Sequence, residues 1–204
     1  MGEFVELAYQ TGDDVSAYYL QLYNGNNGRT YSRALTVGGD GTAGTDDTLG
    51  GLSFVYFDIA GIRHNLSGNG FALVDGLTGA VIEFISYDGT FVGTNGPAIG
   101  LTSMDIGVSE RDGSGASNLS LQLGGSGCKR SDFAWQTVQV STKGSLNVGQ
   151  SGMCASVEQV VSAAPLALQT LPSTVPSVAP SMVPSTMPSM APSLALVSNW
   201  ICEV

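Results

Sequence analysis

A single histidine, three cysteines and seventeen acids are the groups from which this sequence would have to build a reactive site. The imidazole, His64, lies in the hydrophilic run Arg63-His64-Asn65-Leu66-Ser67. A nucleophilic relay would have to use it, yet no Gly-x-Ser-x-Gly elbow or other constrained nucleophile stands nearby, so it reads as a solvated loop side chain. Cys128, Cys154 and Cys202 show neither CxxC nor Cys/His spacing, and a zinc site would need histidines the chain does not have. They read as one disulfide with a cysteine left over. We expect Cys128 to pair with Cys154 across the strand at 133–138 and its Gly-rich return, leaving Cys202 free or intermolecular.

Paired carboxylates could hydrolyse glycosides, with Glu83, Asp88, Asp105 and Glu110 the candidates, and the separation that decides the matter belongs to the fold. Asp40, Asp46 and Asp47 could hold calcium in a loop, although no spaced ligand series supports it. Gly39-Asp40-Gly41-Thr42-Ala43-Gly44 matches the dinucleotide fingerprint by letter. The residues that follow it open no helix, and the phosphate cradle depends on a helix N-terminus, so it reads as a flexible loop. A calcium nonapeptide repeat fails too, because Ala43 stands where the ligand aspartate belongs and nothing repeats. Asn65 and Asn118 begin the sequons Asn65-Leu66-Ser67 and Asn118-Leu119-Ser120, which fit an exported, glycosylated chain. No catalytic, cofactor or metal constellation emerges, and the expectation is a protein that is not an enzyme.

The elements that would position these groups follow from composition and punctuation. The chain of 204 residues suits one well-buried domain. Hydrophobic residues at 43%, charged residues at only 12% and 28 glycines describe an all-β extracellular type. A net charge of −10 argues against nucleic acid or anionic lipid as direct ligands, since both bind by neutralising phosphates. No apolar run is long enough to span a bilayer. No signal peptide is visible, because Met1-Gly2-Glu3 runs straight into a strand-like segment.

Short apolar stretches between Gly, Asn and Asp clusters give candidate strands at 3–7, 18–23, 30–36, 52–57, 70–74, 81–87, 119–123 and 133–138. The clearest alternation, Leu119-Ser120-Leu121-Gln122-Leu123, puts leucines on one face and polar residues on the other, as in a half-buried antiparallel strand. Asn24-Gly25-Asn26-Asn27-Gly28 supplies residues that tolerate positive φ and predicts a hairpin joining Tyr23 to Thr30. Past Gly149 the character changes. Residues 159–202 carry no charged side chain, and from Pro172 to Pro192 a proline falls at every fourth position, each followed by serine. That spacing removes ladder donors and blocks helix, giving a disordered, extended Pro-Ser tail or stalk.

Glu3-Phe4-Val5-Glu6-Leu7, Tyr19-Leu20-Gln21-Leu22-Tyr23-Asn24-Gly25 and Gly70-Phe71-Ala72-Leu73-Val74-Asp75 stand in an ordered series with a stronger block, Ile85-Ser86-Tyr87-Asp88-Gly89-Thr90-Phe91. After it come Gly96-Pro97-Ala98, Asp105-Ile106-Gly107-Val108-Ser109-Glu110, Asp132-Phe133-Ala134-Trp135 and Thr142-Lys143-Gly144. By these blocks residues 3–150 resemble the lamin-tail-like domain of extracellular multidomain proteins. The resemblance implies an immunoglobulin-like antiparallel β-sandwich with no catalytic residues of its own. It also implies a strand ahead of Glu3 that this sequence does not show, so the β-edge beside residues 3–7 is expected to be open. The domain reading is then 1–150 sandwich, 151–171 transition, 172–193 Pro-Ser linker or stalk, and 194–204 a short apolar remnant. Removing everything after Ala163 is expected to leave the domain folded. The function expected is a secreted or cell-surface interaction, adhesion or tethering module, whose partner is a protein, glycan or matrix component. The alternative is an accessory piece of a secreted nuclease or other hydrolase.

Overall fold

A computed structural model describes residues 3–47, 49–63, 68–109 and 118–152, together with the backbone of Leu196–Ile201. The chain is mostly β. The strands are β1 (Phe4–Gln10), β2 (Tyr18–Asn24), β3 (Arg29–Thr30), β4 (Leu35–Thr36), β5 (Thr42–Ala43), β6 (Leu52–Asp58) and β7 (Asn69–Asp75). They continue with β8 (Val81–Tyr87), β9 (Met104–Asp105), β10 (Leu119–Gly127), β11 (Phe133–Val140), β12 (Gln150–Gly152) and β13 (Leu196–Ile201). One four-residue helix, α1 (Val37–Asp40), interrupts them. The first sheet runs β11-β10-β13-β1-β6-β5, with β12 also on β10; the second runs β3-β2-β7-β8-β9, with β4 also on β2.

Alternation in the strands explains how the sheets meet. Val5 and Leu7 of β1, Val55 and Phe57 of β6 and Leu121 of β10 share one buried cluster with Leu20 and Leu22 of β2, Phe71 and Leu73 of β7, and Ile85 and Tyr87 of β8. The inner faces of the two sheets therefore enclose the main core, as period-two patterning requires. The hairpin read from Asn24 to Gly28 is present, with Tyr23 opposite Thr30 and Asn24 opposite Arg29. Gly28 takes φ +66°, and a Cβ there would collide with the carbonyl oxygen of Val92. The strand expected at 30–36 is instead two short pieces, because Ser32 sits at φ 59° and turns the backbone out of the sheet.

The outward face of β10 is covered as well, which the alternation did not foretell. Ser120 and Gln122, the polar face of β10, are both buried. A return segment, residues 141–150, supplies their partners: Val148 N–H donates to Gln122 Oε1 at 3.2 Å and Asn147 Nδ2 donates to the Leu123 carbonyl at 3.1 Å. Gln122 Nε2 donates to Ser120 Oγ at 2.7 Å and to the Val140 carbonyl at 2.8 Å. Lys143 lies 5.1 Å from the Phe4 ring centroid and 4.5 Å from that of Tyr56, and pairs with Asp58. The neighbouring Gly144 N–H donates to the buried Glu6 carboxylate. Β10 is thus satisfied on both faces rather than half-exposed.

The edge expected beside β1 is not open. β13 pairs antiparallel with β1, from Phe4 opposite Ile201 to Ala8 opposite Leu196, and antiparallel with β10, with Leu121 opposite Trp200 and Gln122 opposite Asn199. The segment that reads as a short apolar remnant occupies the middle of a sheet. Removing everything after Ala163 would therefore take away a strand hydrogen-bonded on both edges, which argues against the expectation that the tail is dispensable. Residues 153–195, which include the Pro-Ser repeat, lie outside the described residues.

Candidate functional site

The long connection between β8 and β9 folds back over the outer face of the second sheet. Tyr23, Ala72, Val74 and Phe84 project there and bury Phe91 and Ala98 of the connection. Tyr23, Phe84 and Phe91 form an aromatic cluster with ring centroids 5.0 Å apart for Tyr23–Phe84 and 5.2 Å for the edge-on pair Phe84–Phe91. The Tyr23 hydroxyl donates to the Asn95 carbonyl at 3.0 Å and accepts from Ala98 N–H at 2.9 Å. Burial pushes its pKa up, and the Ala98 hydrogen bond opposes that shift.

A second set of bonds ties the same loop to the β2–β3 hairpin. Asn95 Oδ1 accepts from Thr30 N–H at 2.8 Å, and its Nδ2 donates to Thr30 Oγ1 at 3.2 Å. Thr94 N–H donates to the Gly28 carbonyl at 2.7 Å, and Thr94 Oγ1 to the Asn27 carbonyl at 2.9 Å. At the loop's other end Phe91 N–H donates to Ser103 Oγ at 3.0 Å. Clamped this way, the loop holds several apolar side chains outward: Val92 is 50% exposed, Ile99 64% and Leu101 44%, and Met104 at the start of β9 beside them is 55% exposed. Sequence reasoning passed over all four. The Gly- and Pro-rich punctuation of 88–103 marks a loop, and nothing in its pattern tells a pinned loop from a free one.

The residues singled out for chemistry have other occupations. Glu83 forms an ion pair with Arg130 at 2.6 Å, both side chains mostly covered, and Arg130 also donates to the Phe133 carbonyl at 2.9 Å. This joins β8 of one sheet to the turn leading into β11 of the other. Asp88 stands at φ 59° and accepts from Ser109 Oγ at 3.2 Å, while Asp105 accepts from Gly107 N–H at 3.0 Å and turns the chain after β9. Glu110 lies outside the described residues, as do His64 and Asn65. Asp40 pairs with Arg33 and accepts from Thr36 N–H at 2.9 Å; the Arg33 hydrogen bond, above all, holds its carboxyl far below the ordinary range. Asp47 accepts from Gly50 N–H at 3.0 Å within a turn. Among the described residues no three His, Cys, Asp or Glu side chains are grouped to hold a metal ion.

The fingerprint glycines sit at the end of α1 and run into β5, so no helix N-terminus faces them. Packing accounts for Gly44, where a Cβ would lie 2.5 Å from the Gly144 carbonyl oxygen. Asn118 is exposed in the turn before β10, and its carbonyl accepts from Ser141 N–H at 2.8 Å. Cys128 is disulfide-bonded, with Gln10 Nε2 3.0 Å from its sulfur; Cys154 and Cys202 both lie outside the described residues.

No family model matches the chain, and comparison with curated proteins and with solved structures likewise returned no match.

Proposed function

We propose that this chain is an extracellular or cell-surface interaction module on a lamin-tail-like, immunoglobulin-like sandwich, and that it tethers or adheres rather than catalyses. The observation that carries the reading is the loop of residues 88–103. It is pinned at its base by Tyr23, Asn95 and Thr94, yet turns Val92, Ile99 and Leu101 outward. Apolar side chains held rigidly in water cost little further entropy on binding, which is how a loop on a fixed scaffold becomes a recognition surface. The partner class is a protein, glycan or matrix component with an apolar face, and the acidic surface disfavours nucleic acid. Supporting roles for Glu83 and Asp40 fit the same reading, because each carboxylate is committed to an ion pair.

The test is a binding screen against immobilised glycans and matrix proteins, repeated with Ile99→Asp and Leu101→Asp. Saturable binding weakened at least tenfold by these substitutions is expected. Hydrolase activity together with an absence of binding would overturn the proposal. The same proposal includes the Cys128–Cys154 bridge, which would contribute roughly 3 kcal/mol by loop entropy. Non-reducing peptide mapping that joins Cys128 to Cys202 instead would remove that part.

A further inference from the structure

Asn24, Asn27, Asn69 and Asn95 each stand directly before a glycine. That pair of residues carries its own chemistry. The glycine amide nitrogen can attack the asparagine Cγ, because no Cβ crowds the approach. The new N–C bond closes an imide ring, the side-chain nitrogen leaves as ammonia with the proton that the amide gave up, and water then opens the ring. Opening at one carbonyl gives aspartate; opening at the other gives isoaspartate, in which the main chain runs on through Cγ. Water is the only co-reactant.

The structure separates these four sites by their nucleophiles. Each side-chain carbonyl already accepts a backbone N–H: Asn24 from Asn26 at 3.1 Å, Asn27 from Arg29 at 3.0 Å, Asn69 from Gly25 at 3.2 Å and Asn95 from Thr30 at 2.8 Å. The electrophiles are therefore alike, and the glycine amides decide. Gly25 N–H is the donor to Asn69, and Gly28 N–H donates to the Asn24 carbonyl at 2.8 Å. Gly70 is enclosed in β7 between Tyr23 and Ser86, next to the wholly buried Asn69. Gly96 N–H makes no hydrogen bond among the described residues, and Gly96 is exposed, so water reaches a ring formed there. Thr30 N–H also points at the oxygen on which charge develops during attack, and a donor so placed lowers the barrier.

We infer that Asn95-Gly96 is a self-modification site, at which the folded chain converts Asn95 to aspartate and isoaspartate, and that the isoaspartate form releases the loop of residues 88–103. The anchors explain the release. The Asn95 main-chain carbonyl accepts from the Tyr23 hydroxyl and its side-chain carbonyl from Thr30 N–H. In isoaspartate the two groups exchange roles: the first becomes a free carboxylate and the second a peptide carbonyl, with an extra methylene in the main chain. The donation from Nδ2 to Thr30 Oγ1 is lost with the ammonia. Aspartate keeps the original path, and with it the bonds to Tyr23 and Thr30 N–H. The conversion does not depend on what the loop binds; only a loss of binding upon conversion rests on the recognition reading.

The test is incubation of the full chain at mildly alkaline pH, folded and in urea, with peptide mapping by a fragmentation method that tells isoaspartate from aspartate. In the folded protein Asn95 is expected to convert about tenfold faster than Asn24, Asn27 or Asn69, whose glycine amides must first break a hydrogen bond that Gly96 lacks. In urea the four should convert at similar rates. Conversion at Asn24 or Asn27 that matches Asn95 in the folded protein, or none at Asn95, would overturn the inference. Hydrogen exchange reads the release: the Ala98 amide should exchange faster in the isoaspartate fraction, while Asn95→Asp should leave its rate unchanged. An isoaspartate fraction in which Ala98 stays protected would overturn the release. Conversion and release without any change in binding would support this inference and count against the recognition reading alone.

Discussion

Tyr23 shows how one hydroxyl can fix a loop. Tyr23→Phe keeps the ring beside Phe84 but strands the Ala98 N–H and the Asn95 carbonyl, both of which now meet it. We expect a loss of about 1–3 kcal/mol in denaturant unfolding, the usual cost of an orphaned buried polar group, and faster exchange of the Ala98 amide. Glu83 and Arg130 offer a sharper contrast, since an ion pair with both ends mostly covered is worse broken than absent. Arg130→Ala should cost about 3–5 kcal/mol, while the double change Arg130→Met with Glu83→Leu should recover most of that, as measured by equilibrium unfolding. Little of this was legible in the sequence. Glu83 stands out as an acid within an apolar strand, which is as consistent with catalysis as with pairing, and its partner lies 47 positions away. Glu6, buried in β1, sends the same ambiguous signal among Phe4, Val5 and Leu7.

Seven of the eight strands expected from punctuation correspond to observed ones, because each carries a run long enough to show its period: 81–87 matches β8 and 18–23 falls within β2, whereas 30–36 is broken at Ser32 into β3 and β4. Short strands escaped. β5, β9 and β12 are two or three residues long, and their pairing is dictated by their neighbours rather than by their own side chains. β13 escaped for a different reason. Leu196-Val197-Ser198-Asn199-Trp200-Ile201 is a plausible strand by composition, but its place beside β1 is a long-range fact, and the proline repeat before it argues locally for a tail. The consequence is testable by truncation after Ala163. Each backbone hydrogen bond of a strand paired on both edges contributes about 0.5–1.5 kcal/mol net, so the loss should reach several kcal/mol. A denaturation midpoint unchanged by the cut would show that β13 contributes nothing to the sheet.

Across the whole molecule, exposed acids are held in their charged form by local donors: Asp14 by the Ser16 hydroxyl, Asp40 by Arg33, Asp75 by the Thr78 hydroxyl and Asp132 by the Lys129 amide. Each has its pKa lowered, so its contribution is present above the ordinary carboxylate range and is lost as pH falls through the folded value. Asp13, raised by burial, opposes the trend weakly. Tyr23 and Tyr31, raised chiefly by burial, bind protons more tightly folded than unfolded, so stability should also fall as pH climbs past about 10. Denaturant midpoints measured from acid to alkali should therefore trace a plateau with a shoulder lost on each side; a flat acid limb would refute the role given to the aspartates. The position of β13 in the sheet also sets a clock. β1 and β13 lie far apart along the chain, so one partner of β1 emerges roughly 10–40 s after it at about 5–20 residues per second. During that interval the ribosome-bound chain must carry a half-built sheet, and nascent chains halted before Leu196 should be cut by protease at sites that the released protein shields.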